Sequence, residues 1–75
     1  MLFFKSKAEK ELDYLLQELK NFLSNNYKDS AHHCRKLLGE KAEEYYAAGK
    51  LTQAQYRRYI RIYKEYTDLM KDYHH

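Results

Sequence analysis

The residues best equipped for chemistry fall in three groups: Cys34 beside His32 and His33, the carboxylates Glu40, Glu43 and Glu44, and the basic run Arg57, Arg58, Arg61 and Lys64. A cysteine nucleophile needs a base within hydrogen-bond reach. Residues one or two apart on a helix diverge by about 100° or more, so neither histidine easily meets the sulfur. No glycine-rich oxyanion loop or nucleophile elbow accompanies them. Cys34 therefore reads as a small apolar core residue. Metal binding would draw on the same three residues and on His74 and His75, yet no His-x3-His or Cys-x2-Cys pair exists. The carboxylates fall on the solvent side of their helix, whereas acid–base work needs a desolvated cleft. Phosphate-cradling glycine loops are missing as well. The expectation is no catalytic residue, no metal ligand and no cofactor, hence no enzyme.

Binding is the better use of these side chains. Tyr56, Tyr59 and Tyr63 are interleaved with the basic run. Cations neutralise phosphates and exposed aromatics stack on unpaired bases, so Arg57, Arg58, Arg61 and Lys64 are candidate nucleic-acid contacts. Two features oppose that reading. The tyrosines are needed for the apolar face of their helix, and Glu65, Asp68 and Asp72 dilute the charge. Arg61–Glu65 and Lys64–Asp68 also have the i,i+4 spacing of ordinary surface pairs. Tyrosine suits protein surfaces equally well, being large, fairly rigid and tolerant of half-exposure. A stripe of tyrosines where leucine would suffice means either edges open to a protein partner or hydroxyls that merely reach solvent. Tyr46, Ile60 and Leu69, at the stripe edges, are the candidate protein contacts, together with Phe3 and Phe4. The latter two, with Leu2, suit a plug over the bundle end better than a partner or membrane contact.

The element that positions the basic run is LTQAQYRRYIRIYKEYTDLMKDY, residues 51–73. At 100° per residue, Tyr59, Tyr63, Tyr66, Met70 and Tyr73 share an arc of roughly 80°. Ile62 and Leu69 widen one edge. Thr52 and Gln55 make a capping box, and Leu51 is placed to staple onto Tyr56. An earlier helix follows from Ala8, Leu12, Leu15, Leu19 and Phe22, in the 4-3-4-3 spacing of a bundle seam. Ser6 and Glu9 cap its start, and Asn25 and Asn26 are its terminators. Lys10, Asp13, Gln17, Lys20 and Asn21 face away. Between the two, Ala31, Cys34, Leu38, Ala42 and Tyr45 form a third stripe, with Asn26, Asp29 and Ser30 as competent caps. Gly39 lies inside that stripe, whose phase holds on both sides. A continuous helix is expected over a kink, with Gly49 as its left-handed terminator.

Seventy-five residues make one domain, 1–75, with a core worth only a few kcal/mol of net stability. A single cysteine excludes an internal disulfide. The net charge of +3 is too small to imply nucleic acid without clustering. No run approaches a membrane span. Met1 to Phe4 lacks the length and cleavage site of a signal peptide, so the cytoplasm is the expected location. Helices of about 7–24, 28–48 and 53–73, with short connections, give an all-α, up-down-up three-helix bundle.

Tyr45-Tyr46-Ala47-Ala48-Gly49-Lys50-Leu51-Thr52-Gln53-Ala54 resembles the helix-turn-helix junction of a tetratricopeptide repeat. Arg58 stands where that repeat places a large apolar residue, its proline is missing, and no second copy follows. The resemblance implies shared hairpin physics, not membership, and transfers no peptide-binding residues. The functional expectation is a small protein-interaction or regulatory module, of adapter or inhibitor type. Its partner is another protein, with a second copy of the chain as one candidate. The alternative is a nucleic-acid-associated protein using the basic run. The seam spacing puts Leu19 at the bundle centre. Leu19→Ala should cost ~2–5 kcal/mol, enough to unfold much of so small a domain. An unchanged thermal midpoint would show the seam to be misplaced.

Overall fold

The computed structural model describes residues 5–71, and these form three helices: α1 (Lys7–Ser24), α2 (Lys28–Ala47) and α3 (Gln53–Met70). They make an all-α bundle in which α2 is central, packed against α1 on one side and α3 on the other. The backbones of α1 and α3 stay further apart. Phe3, Phe4, Tyr73, His74 and His75 lie outside the described residues, as does the end of α3 expected near residue 73.

Local sequence accounts for the helix starts. Ser6 Oγ accepts the Glu9 amide at 3.1 Å while Glu9 Oε1 accepts the Ser6 amide at 3.2 Å. Thr52 and Gln55 repeat that reciprocal pairing at α3, at 3.1 and 2.8 Å. Each box satisfies donors that a helix N-terminus otherwise leaves orphaned. Leu51, just outside the α3 cap, is buried.

Both helix ends that lead into turns close in the same way. After α1, the Tyr27 amide bonds to Phe22 O at 2.8 Å and the Asn26 amide to Leu23 O at 3.1 Å. After α2, the Lys50 amide bonds to Tyr45 O at 2.8 Å and the Gly49 amide to Tyr46 O at 3.0 Å. These are two Schellman motifs, each needing one left-handed residue. Asn26 takes it at φ 61° and Gly49 at φ 75°. The side chains complete the closure: the Phe22 and Tyr27 rings meet with centroids 6.4 Å apart, and the Lys50 ammonium lies 5.5 Å over the Tyr45 ring. One expectation needs correction. Neither Asn26, Asp29 nor Ser30 caps α2; Tyr27 occupies that position with no side-chain cap bond. Asn26 is committed to ending α1, and the Ala31 amide already bonds to Tyr27 O at 2.9 Å. The connection is too short for a separate cap.

The core takes Ala8, Leu12, Leu15 and Leu19 from α1 and Ala31, Cys34, Leu38, Ala42 and Tyr45 from α2. From α3 only Tyr59 and Met70 are fully buried, while Tyr63 and Tyr66 pack against the core half-exposed. Helix α2 runs unbroken through Gly39. What approaches there is a ring, not a backbone. A Cβ built on Gly39 would lie 2.6 Å from Tyr63 Cε1. Glycine at this position thus opens a notch that seats α3 against α2. Alanine is worth about 1 kcal/mol more than glycine within a helix. Gly39→Ala should nevertheless lower the thermal midpoint, because a packed ring must be displaced; a raised midpoint would exclude the notch. Gly49→Val should cost more than ~1 kcal/mol, since a β-branched residue resists positive φ. Equal midpoints for that variant and the natural chain would exclude the left-handed cap.

Candidate interaction site

The tyrosines explain how the helices are held, and so which surface is left over. Tyr59, at 0 % exposure, reaches α1 and donates its hydroxyl to Asp13 Oδ1 at 2.7 Å. Tyr45 of α2 donates to Glu11 Oε2 of α1. Tyr56 of α3 donates to Glu43 Oε1 of α2 at 2.5 Å. Each pair of helices is therefore joined by one phenol–carboxylate bond, of the charge-assisted kind. Asp13, expected to face away, is half-buried and also ion-paired with Lys5 and with Arg58, the latter at 3.8 Å. Glu43, expected to be merely solvated, holds Tyr56. At Tyr45, Tyr56 and Tyr59 the hydroxyl ends on a carboxylate of another helix, a contact leucine could not make, whereas Tyr63 OH receives the Arg35 guanidinium.

Sequence reasoning passed over Arg35. Its Nη1 donates to Thr67 Oγ1 at 3.0 Å and to Tyr63 OH at 3.3 Å, with the guanidinium 5.5 Å from the Tyr63 ring. It clamps the second half of α3 to α2, one helical turn from the Gly39 notch. The available signal was its position beside the stripe, at Leu38 minus three, where a long side chain covers the neighbouring helix.

The candidate residues separate. Arg58 lies beside Tyr59 and donates to its hydroxyl at 3.1 Å, so it belongs to the α1–α3 joint rather than to a free basic surface. Arg57, Arg61 and Lys64 share one exposed face of α3 with Glu65 and Asp68. Among the described residues none of those three cations is ion-paired; the expected Arg61–Glu65 and Lys64–Asp68 pairs do not close. Tyr46 is stacked on Tyr56 at 4.2 Å and 11°, and Ile60 is half-buried above Gly39 and Tyr63. Leu69 is 70 % exposed and lies about 180° around α3 from Ile60. Tyr46, Ile60 and Leu69 therefore do not make one patch.

Leu69 belongs to a groove between α1 and α3, lined by Leu16, Lys20, Ile62, Glu65, Tyr66 and itself. It exists because long side chains hold those two helices apart. The Asp13–Arg58 pair closes its upper end. A second groove lies between α1 and α2, over Tyr14, Leu15, Phe22, Cys34 and Leu37. At its floor Cys34 Sγ donates to Leu15 O at 3.2 Å. Burial, aided by the Glu18 charge, pushes that thiol up from its ordinary value, which makes it a poor nucleophile. Among the described residues no three His, Cys, Asp or Glu side chains gather to hold a metal ion, and no helix is long and apolar enough to cross a membrane.

The phenol–carboxylate bonds carry a pH signature. Burial and the Asp13 carboxylate push Tyr59 up to about 12, and the bond to Glu11 does the same for Tyr45, again to about 12. Burial pushes Asp13 up, but the Lys5 and Tyr59 hydrogen bonds and the Lys5 and Arg58 charges outweigh it and hold the carboxyl below its usual value. For the raised phenols, stability is complete below the unfolded value near pH 10 and is lost as pH rises toward 12. For Asp13 it is complete above the ordinary carboxylate value and is lost as pH falls through the lowered one. Urea midpoints should therefore fall at both extremes. Tyr59→Phe should cost ~1–3 kcal/mol at neutral pH and flatten both limbs. A variant with the natural chain's midpoints from pH 3 to 11 would remove the bond from the account.

Comparison with known protein families, with characterised proteins and with solved structures gives no match.

Proposed function

We propose that this chain is a non-catalytic protein-interaction module, of the adapter or regulatory kind, which docks a protein in the groove between α1 and α3. One observation carries the reading: Leu69, 70 % exposed, stands over the further apolar side chains Leu16, Ile62 and Tyr66. A single exposed leucine is ordinary. A leucine adjoining an uncovered groove between two helices is the shape that takes an apolar anchor from a partner. The free, buried thiol of Cys34 is compatible with a reducing compartment, so the cytoplasm is the setting proposed.

A second reading is favoured by Arg57, Arg61 and Lys64, which have no ion pair among the described residues and whose face would suit phosphates. Glu65 and Asp68 on the same face and the diversion of Arg58 to Asp13 weigh against it. The two are separated by sizing native extracts and by an oligonucleotide titration. The natural chain should run in extracts well above its monomer mass, and Leu69→Asp should move it to the monomer position. Migration that ignores Leu69→Asp would remove the groove reading. For the second reading, oligonucleotide binding should be micromolar and steep in salt. Replacing Arg57, Arg61 and Lys64 by Gln should flatten the slope of log K against log salt by about 0.7–0.9 per lost contact. Binding no tighter than roughly 10⁻⁴ M at physiological salt would leave the protein-interaction reading in place.

A further inference from the structure

The groove carries information about its occupant in the charges on its rims. Asp13 of α1 and Arg58 of α3 face each other across its upper end at 3.8 Å. Lys20 and Glu65 each lie seven residues further along the same two helices, so they stand at equal height, about 10 Å down the groove. The spacing repeats and the signs are exchanged: α1 now carries the cation and α3 the anion. Unlike the first pair, this one is open. Both side chains are exposed, and among the described residues neither has an ion pair or hydrogen bond. The apolar side chains of Leu16, Ile62, Tyr66 and Leu69 lie between and beside them.

We propose that the occupant of this groove is a second copy of the chain, related by a two-fold axis running along the groove. The proposal rests on the interaction reading above and names its partner. Helices α1 and α3 run in the same direction, because the bundle goes up, down and up again. A two-fold axis along the groove exchanges the two rims without changing height. It brings Lys20 of one copy opposite the partner's Glu65, and Glu65 opposite the partner's Lys20. An axis across the groove would instead oppose Lys20 to Lys20 and Glu65 to Glu65, so the charges select one arrangement. Leu69 then faces the α1 wall of the partner and leaves water. A foreign protein would need a cation and an anion of its own in this register. Self-pairing supplies both from one sequence, and the interface is isologous.

The test is sedimentation of the purified full chain over a wide concentration range, with charge-reversal variants at the two rims. The natural chain should dimerise. Lys20→Glu and Glu65→Lys should each raise the dissociation constant by at least about tenfold, since either turns both facing pairs into like-charge pairs. Both positions are exposed, so folding should be unaffected, which helical circular dichroism checks. Mixed one to one, the two variants should recover the dimer, because every facing pair is again opposite in sign. A natural chain that stays monomeric at hundreds of micromolar overturns the proposal. So does a dimer indifferent to both reversals, or a mixture that recovers nothing. If the purified chain is monomeric while Leu69→Asp still shifts the species in extracts, the second copy is excluded and the interaction reading stands. If neither responds, both fall.

Discussion

The bond between the Tyr59 hydroxyl and the Asp13 carboxylate is the constraint on which the rest of the bundle depends. Burying the Tyr59 ring contributes about 1.5–3 kcal/mol, the usual value for a large apolar side chain. Burying its hydroxyl without a partner would cost a comparable ~1–3 kcal/mol. The ring can therefore occupy the core only if its far end meets an acceptor, and Asp13 is that acceptor. Asp13 in turn keeps its charge because Lys5 and Arg58 face it. The group is a closed set, each member making the next one tolerable in a half-buried place.

That solution fixes the separation of α1 and α3. A phenol is longer than an isobutyl group, so helices joined end-on through tyrosine stand further apart than helices joined through leucine. Helix α2, by contrast, is approached closely by both neighbours. Alanines at 31 and 42 and glycine at 39 keep its surface low, and the Tyr63 ring lies directly on the glycine. Arg35 then reaches over the same ring and ties it to Thr67. The bundle is thus asymmetric, tight around α2 and open between α1 and α3. The openness is a consequence of the side chains chosen for the core, and the groove proposed for docking is its outer edge.

Several of the charges on this small protein hold its helices together. Glu11, Asp13 and Glu43 receive tyrosine hydroxyls, Arg58 flanks one of them, and Arg35 clamps α3. Among the described residues, Lys20 and Glu65 remain unpaired along the groove, and Arg57, Arg61 and Lys64 on the adjoining face of α3, which Glu65 also borders. A net charge of +3 says little about either surface. Position decides the matter, since exposed charges act within roughly one Debye length, about 8–10 Å. The interaction reading follows from which apolar atoms lie beside the unpaired groups, not from their number.

The sequence by itself determined the helices, the N-caps of α1 and α3, and the α1 and α2 sides of the core. Period-3.6 stripes, two capping boxes and a glycine after Ala48 are local signals, and local hydrogen bonding is enough to read them. It also determined that Asn25-Asn26 would end α1, although not that Asn26 would leave α2 without a side-chain cap. The tertiary structure alone decided the partners of the polar groups. Asp13 and Lys20 share a side of α1 in the sequence pattern, yet one is half-buried against Tyr59 and the other is exposed. Nothing within α1 distinguishes them, because the difference is set by which residue of α3 lies opposite. Ile60 and Leu69 fall on opposite sides of α3 by periodicity alone, whereas the stacking of Tyr46 on Tyr56 depends on how α2 and α3 pack. Gly39 shows the limit most clearly. Its stripe predicted a continuous helix, but the ring it admits belongs to a residue 24 positions away, a contact that no local pattern encodes.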